Sequence, residues 1–199
     1  MTSFVVVPDA CCLIPFALRD TIFRAADKGL YRLCLTDEIL EEVRRNLIGK
    51  LKVPEDKASR LVRTINEAFP DAFVTGHMSL LDSMPVNNKD RHVLAAAVIN
   101  NAQVIVTQNI KDFPLSILSS YHVEAQTPDE FLVHLFHLAP DEIARIIISQ
   151  AGDLCMPSMT ALELLKILEK QVPSFVKLVQ GKLSSNSYNY SWSQIATEK

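Results

Sequence analysis

Glycine is scarce in this chain, at five in 199 residues. That scarcity argues against a Gly-rich loop cradling phosphates in its backbone N–H groups. Cysteine is scarce too, and Cys11, Cys12, Cys34 and Cys155 show no paired metal-ligand spacing. Adjacent Cys11 and Cys12 make a poor disulfide framework, so free thiols in a reducing cytoplasm are expected. No apolar run approaches the roughly 18 residues a membrane-spanning helix needs, and the N-terminus has no basic, leader-like start. A soluble cytoplasmic protein with no membrane partner is the expectation. An excess of positive charge is also missing. The formal net charge of −3 argues against a strongly basic nucleic-acid module. It leaves room for an enzyme that meets a nucleic acid locally and through metal ions. No internal repeat is visible.

What the chain does have is apolar material, 48% of its residues, ample for a core. Its most informative stretch is Asn88 to Pro114, NKDRHVLAAAVINNAQVIVTQNIKDFP. Val93, Leu94, Ala97 and Val98 fall at helical spacing, Asn100-Asn101 breaks the pattern, and Val104 to Thr107 is a short β-branched run. Asp90 opens the helix and Asp112 follows the strand. In an open α/β sheet, ligands sit beyond the carboxyl ends of the strands.

The remaining elements alternate in the same way. Phe4 to Val7 reads as a strand buried on both faces, ended by Pro8 with Asp9 directly after it. Ala10 to Leu18 reads as a helix interrupted near Pro15, and Phe23 to Lys28 as another, stopped by Gly29. Tyr31 to Leu35 is a second strand. Thr36 is a good N-cap for a helix from Asp37 to Ile48 that buries Ile39, Leu40, Val43 and Leu47. Projection at roughly 100° per residue puts Glu42 nearest that apolar face, with Glu38 and Glu41 directed at solvent. Pro54 opens a helix to about Ala68, within a zone rich in Arg and Lys from Arg44 to Arg63. That zone reads as a solvated helical face or a contact for phosphates. Ala72 to Thr75 is a weak strand, and Tyr121 to Ala125 a last one. Helices between most strands argue for a mostly parallel sheet in an α/β sandwich.

The character changes at Thr127. Pro128 to His137, Pro140 to Ala151, Met159 to Lys170 and Pro173 to Lys182 all read as helices, most with proline at the start. The expected organisation is an α/β domain over 1–126, a small helical extension over 127–183, and a polar, mobile tail over 184–199 where Trp192 could dock.

Asp9, Glu42, Asp90 and Asp112 thus fall at βα loops or adjoining helix ends. An all-oxygen set suits Mg²⁺ or Mn²⁺, and carboxylates held together imply a cation or raised pKa values. Each acid also has a plain structural reading. Asp9 and Asp90 could cap helices, Glu42 could lie on the surface, and Asp112 could make an Asx-turn before Phe113-Pro114. His134 and His137 are three apart on one helix and have no third ligand nearby, so an ordinary helix surface is the better reading. His92, close after Asp90, reads as helix surface or as a substrate contact, and Cys11 and Cys12 as core packing.

These residues carry a family resemblance. Val7-Pro8-Asp9-Ala10-Cys11 with Leu13-Ile14-Pro15 resembles the opening motif of PIN-domain ribonucleases. Glu42-Val43-Arg44-Arg45-Asn46-Leu47 is similar to the segment supplying their second acid, and Lys89 to Ala97 to their third motif. Val106 to Pro114 resembles the fourth, in the form with Asn109 after the strand and Asp112 three residues later. The motifs occur in order across residues 5–114, and the chain is similar to VapC-type toxins of toxin–antitoxin pairs, in a longer subgroup with a helical extension.

The resemblance implies a PIN-like α/β/α sandwich and a Mg²⁺- or Mn²⁺-dependent endoribonuclease acting on single-stranded or loop RNA. Asp9, Glu42, Asp90 and Asp112 would hold the metal and orient a water, leaving a 5′-phosphate and a 3′-hydroxyl. Thr107 could support them through its hydroxyl or be an ordinary buried strand threonine; Asn109, where many relatives place an aspartate, could bond a water or a metal ligand without adding charge. A VapB-type antitoxin and a homodimer are the implied partners. Three rivals stand beside this reading: a non-catalytic PIN-like adaptor, a structure-specific DNA nuclease, and a phosphoaspartyl enzyme. The last usually wants a second acid two residues after Asp9, where this chain has Cys11.

Overall fold

A computed structural model describes residues 4–154 and 159–185. Its centre is a sheet of strands β1 (Val5–Pro8), β2 (Arg32–Leu33), β3 (Val104–Val106) and β4 (Glu124–Gln126), in the order β2-β1-β3-β4. Every pairing is parallel. β1 and β3 are buried along their whole length because helices cover both faces. The register pairs Val7 with Ile105 and Pro8 with Val106. Asp9 and Thr107, the next residues of each strand, therefore emerge side by side at the carboxyl edge.

Helix α1 (Ala10–Leu13) is followed by α2 (Phe16–Asp27), one continuous helix from the proline onward. The expected second break before Phe23 is absent. Polar residues there turn inward: Arg19 donates to the carbonyls of Leu13 and Ile14, and Thr21 to that of Ala17. Sequence polarity at these positions had concealed a buried face. Helix α3 (Asp37–Gly49) starts as expected, with Thr36 Oγ1 accepting from the Ile39 N–H.

Helix α4 (Glu55–Ala68) follows, and the expected strand at Ala72 to Thr75 reduces to one parallel bridge between Leu35 and Phe73. The 3-10 segment His77–Ser83 then leads to α5 (Arg91–Ile99). A short helix, α6 (Leu115–Leu118), precedes β4. β4 begins later than expected, because Ser119–Tyr121 forms a 3-10 turn and His122 is left-handed at φ 56°. That turn consumes the first part of the anticipated strand.

Four helices complete the described chain: α7 (Pro128–Leu138), α8 (Pro140–Asp153), α9 (Ala161–Leu168) and α10 (Pro173–Ser185). Capping boxes start α7, through Thr127 and Glu130, and α9, through Thr160 and Glu163. These helices share one hydrophobic core with the sheet. The Tyr31 and Phe131 rings meet edge to face at 5.2 Å between centroids. Most of the expected tail, with Trp192, lies outside the described residues. Among the described residues no helix is long and apolar enough to cross a membrane.

Candidate active site

The carboxyl edge of the sheet is built around Asp9. Its side chain makes no helix-capping bond although it stands at the N-cap of α1. Instead, Asp9 Oδ2 accepts from Thr107 Oγ1 at 2.7 Å and from Cys11 Sγ at 3.0 Å. Thr107 is fully buried, and its hydroxyl oxygen also accepts from the backbone N–H of Asn109 at 3.0 Å. Asn109 thus enters the network through its main chain. Cys11 is not simply core: its thiol donates to Asp9 and accepts from the Gln108 N–H at 3.3 Å. The spacing Asp-x-Cys carries that information, but a half-buried thiol looks apolar in a hydropathy pattern. Cys12 is buried, donates to the Val106 carbonyl at 3.2 Å, and has its pKa raised by that burial.

Asp90 sits at the N-cap of α5 and likewise makes no side-chain cap. It is buried, and its Oδ2 has no hydrogen-bond partner. Lys89 Nζ lies 3.6 Å from that oxygen and 2.9 Å from Asp112 Oδ2. Two carboxylates, from the start of α5 and from the turn after β3, therefore share one ammonium. Burial, together with nearby Asp112 and Asp9, raises the pKa of Asp90 against the pull of Lys89. Asp112 closes the 3-10 turn Ile110–Asp112.

Glu42 stands on the other side. Its Oε2 lies 3.8 Å from His92 Nε2, and His92 is held below its ordinary pKa by burial, against the pull of Glu42, Asp9 and Glu38. His92 is thus more than helix surface. Glu38, expected in solvent, instead reaches His77 Nε2 at 2.9 Å. Burial pushes Glu38 up, but bonds from the backbone, His77 and Thr36 outweigh it and lower its pKa. His77 lies just past the weak strand read at Ala72 to Thr75, and no sequence pattern marks it. Of the other α3 acids, Glu41 pairs with Arg44 at 2.8 Å, and Arg44 also meets Glu55 at 3.1 Å. That portion of the basic zone is a paired surface.

Among the described residues no group of three or more His, Cys, Asp or Glu stands close enough to hold a metal ion as it is. His134 bonds Gln126 at 3.1 Å, as a helix-surface residue would. The donor chemistry near Asp9, Asp90 and Asp112 nevertheless fits a hard divalent cation. The three acids themselves offer only oxygen, one of those oxygens is buried without a hydrogen-bond partner, and a side-chain cation already lies between two of the acids.

Two family models match the chain, over separate segments. Residues 5–111 match the model of the PIN domain, and residues 128–181 match that of the VapC50 C-terminal domain. VapC50 of Mycobacterium tuberculosis (strain ATCC 25618 / H37Rv), a candidate ribonuclease by its name, is 38% identical over 116 residues. That alignment covers 58% of this chain and 69% of the relative. A chain of the solved VapBC-1 structure from nontypeable Haemophilus influenzae is similar at 15% identity with a TM-score of 0.45, covering 62% of this chain and 98% of that one.

Proposed function

Because the chain belongs to the PIN-domain family, in its VapC branch, we propose that it is a metal-dependent endoribonuclease and the toxin of a toxin–antitoxin pair. The observation that carries the reading is the approach of Asp90 and Asp112 to one ammonium, beside Asp9. Three acids set at helix and strand ends without capping those ends are available for chemistry. A bound Mg²⁺ or Mn²⁺ would lower the pKa of a water and neutralise charge on the scissile phosphate. Asp9, Asp90 and Asp112 would hold it, with Lys89 moving aside. Thr107 and Cys11 keep Asp9 Oδ2 oriented through hydrogen bonds. Glu42, beside His92, completes the acidic rim and helps orient the water. Attack on phosphorus breaks the bond to the 3′-oxygen, leaving a 5′-phosphate and a 3′-hydroxyl.

A VapB-type antitoxin would neutralise the protein by covering this rim, and a cytoplasmic homodimer is the form we expect in the cell. Presence of all four acids favours this reading over the adaptor. The test is Mn²⁺ calorimetry on the full chain, Asp9→Asn and Asp90→Asn, with cleavage of a single-stranded RNA followed alongside. Loss of most of the heat and of cleavage in both folded variants supports the site. Equal heats in all three proteins would overturn it.

A further inference from the structure

Beside the acids opens a cavity of about 540 Å³, and Glu42 and Lys89 line it as well as the acidic rim. One wall comes from the segment His77–Ser83, which presents Met78, 53% exposed, and half-buried Leu81. Gly76 turns the chain into this segment at φ 85°, a backbone conformation costly for other residues. Its first residue, buried His77, ties it to α3 through Glu38 at 2.9 Å. The apolar wall is therefore anchored. Arg45 and Arg91 also line the cavity. His92 lines it too, and its Nε2 is buried without a hydrogen-bond partner.

We propose that this cavity receives one unstacked RNA base next to the scissile phosphate and so sets the cleavage-sequence preference. The inference rests on the ribonuclease reading above. An exposed thioether and a leucine offer a flat base the apolar contact it loses on leaving a stack. Arg45 and Arg91 meet the phosphates on either side of it, and His92 Nε2 finds a partner on the base edge. The volume falls within the range of about 300–1,000 Å³ usual for small-ligand sites. A single nucleoside fits such a space and a duplex does not. The common border with Glu42 and Lys89 places the base beside the bond to be cut.

The experiment uses the full chain, Mn²⁺ and a pool of single-stranded RNA oligonucleotides of random sequence, with product ends read by sequencing. Wild type, Met78→Ala, Leu81→Ala and Arg45→Ala are compared. The wild type should prefer certain bases at a position flanking the cut. Met78→Ala and Leu81→Ala should flatten that preference and lower kcat/KM on the preferred sequence roughly tenfold, with the Mn²⁺ heat unchanged. Arg45→Ala should weaken all sequences alike. A wild type that cleaves with a preference untouched by Met78→Ala and Leu81→Ala, or with none at all, overturns the pocket and leaves the nuclease standing. A wild type that cleaves no RNA overturns both.

Discussion

Thr107 Oγ1 donates to Asp9 Oδ2 at 2.7 Å, and both residues are buried at the ends of paired strands. The contact follows from register: Pro8 lies beside Val106, so the residues after them meet. Thr107→Val keeps the shape and removes the hydroxyl. The loss of an orienting bond to a proposed ligand should cost roughly 10- to 100-fold in Mn²⁺ affinity. Leaving a buried acceptor short of one donor should cost about 1–3 kcal/mol of stability. Thr107→Ser should recover both. Calorimetry and urea unfolding of the two variants check this, and a valine variant that binds Mn²⁺ normally would show that the hydroxyl serves only packing.

Lys89 is largely exposed, yet its ammonium lies against two carboxylates. That contact raises the Lys89 pKa, mainly through the bond to Asp112 and the charge of Asp90. Lys89→Gln removes the internal cation. The metal-free protein should then melt at a lower temperature, because Asp90 and Asp112 repel each other, while added Mn²⁺ should raise Tm by more than in the wild type. Thermal scans with EDTA and with Mn²⁺ distinguish the cases. Equal Mn²⁺-induced shifts would mean that Lys89 does not compete with the metal.

The candidate site is legible in the sequence where the acids adjoin strands and helix ends. Asp9 after Val7-Pro8, and Asp112 beyond the Val104 to Thr107 run, need only the rule that parallel sheets expose function at their carboxyl edge. A helical projection directs Glu38 at solvent because it knows only its own apolar stripe; the partner that pairs with the half-exposed Glu38, His77, lies 39 residues away. The same limit hid the unbroken α2. Buried Arg19 and Thr21 look exposed until their backbone carbonyl acceptors are in place. Local hydropathy marks apolar faces, and a polar side chain satisfied by a neighbour leaves no trace in it.

Asp90 makes metal-free stability depend on pH. Burial, with Asp112 and Asp9 nearby and Lys89 opposing, raises its pKa in the folded state. Between the unfolded and folded values the native protein therefore binds more protons. This contribution is full below the unfolded pKa and is lost as pH rises through the folded one. In EDTA the urea midpoint of the wild type should fall, relative to Asp90→Asn, as pH rises through that window above the ordinary aspartate pKa. Parallel profiles for the two proteins would sink the idea.

The last prediction concerns the helices after β4. Gln150 on α8 is fully buried, and it accepts from Thr21 Oγ1 at 2.8 Å and donates to the Ala17 carbonyl at 2.9 Å, both on α2. Arg24 of the same helix reaches Asp153 at 2.8 Å. Apolar packing also continues without a break from the sheet into these helices. Gln150→Leu keeps much of the volume but removes two buried hydrogen bonds between α8 and α2, at a cost of about 2 kcal/mol. Since α2 also carries Arg19, which binds the carbonyls ending the α1 turn after Asp9, loosening α8 should reach the acidic edge. Urea unfolding followed by tyrosine fluorescence and by circular dichroism should give one coincident transition, shifted to lower urea in Gln150→Leu. Two separate transitions, with only the second sensitive to the substitution, would show that the helices fold as an independent unit and do not brace the site.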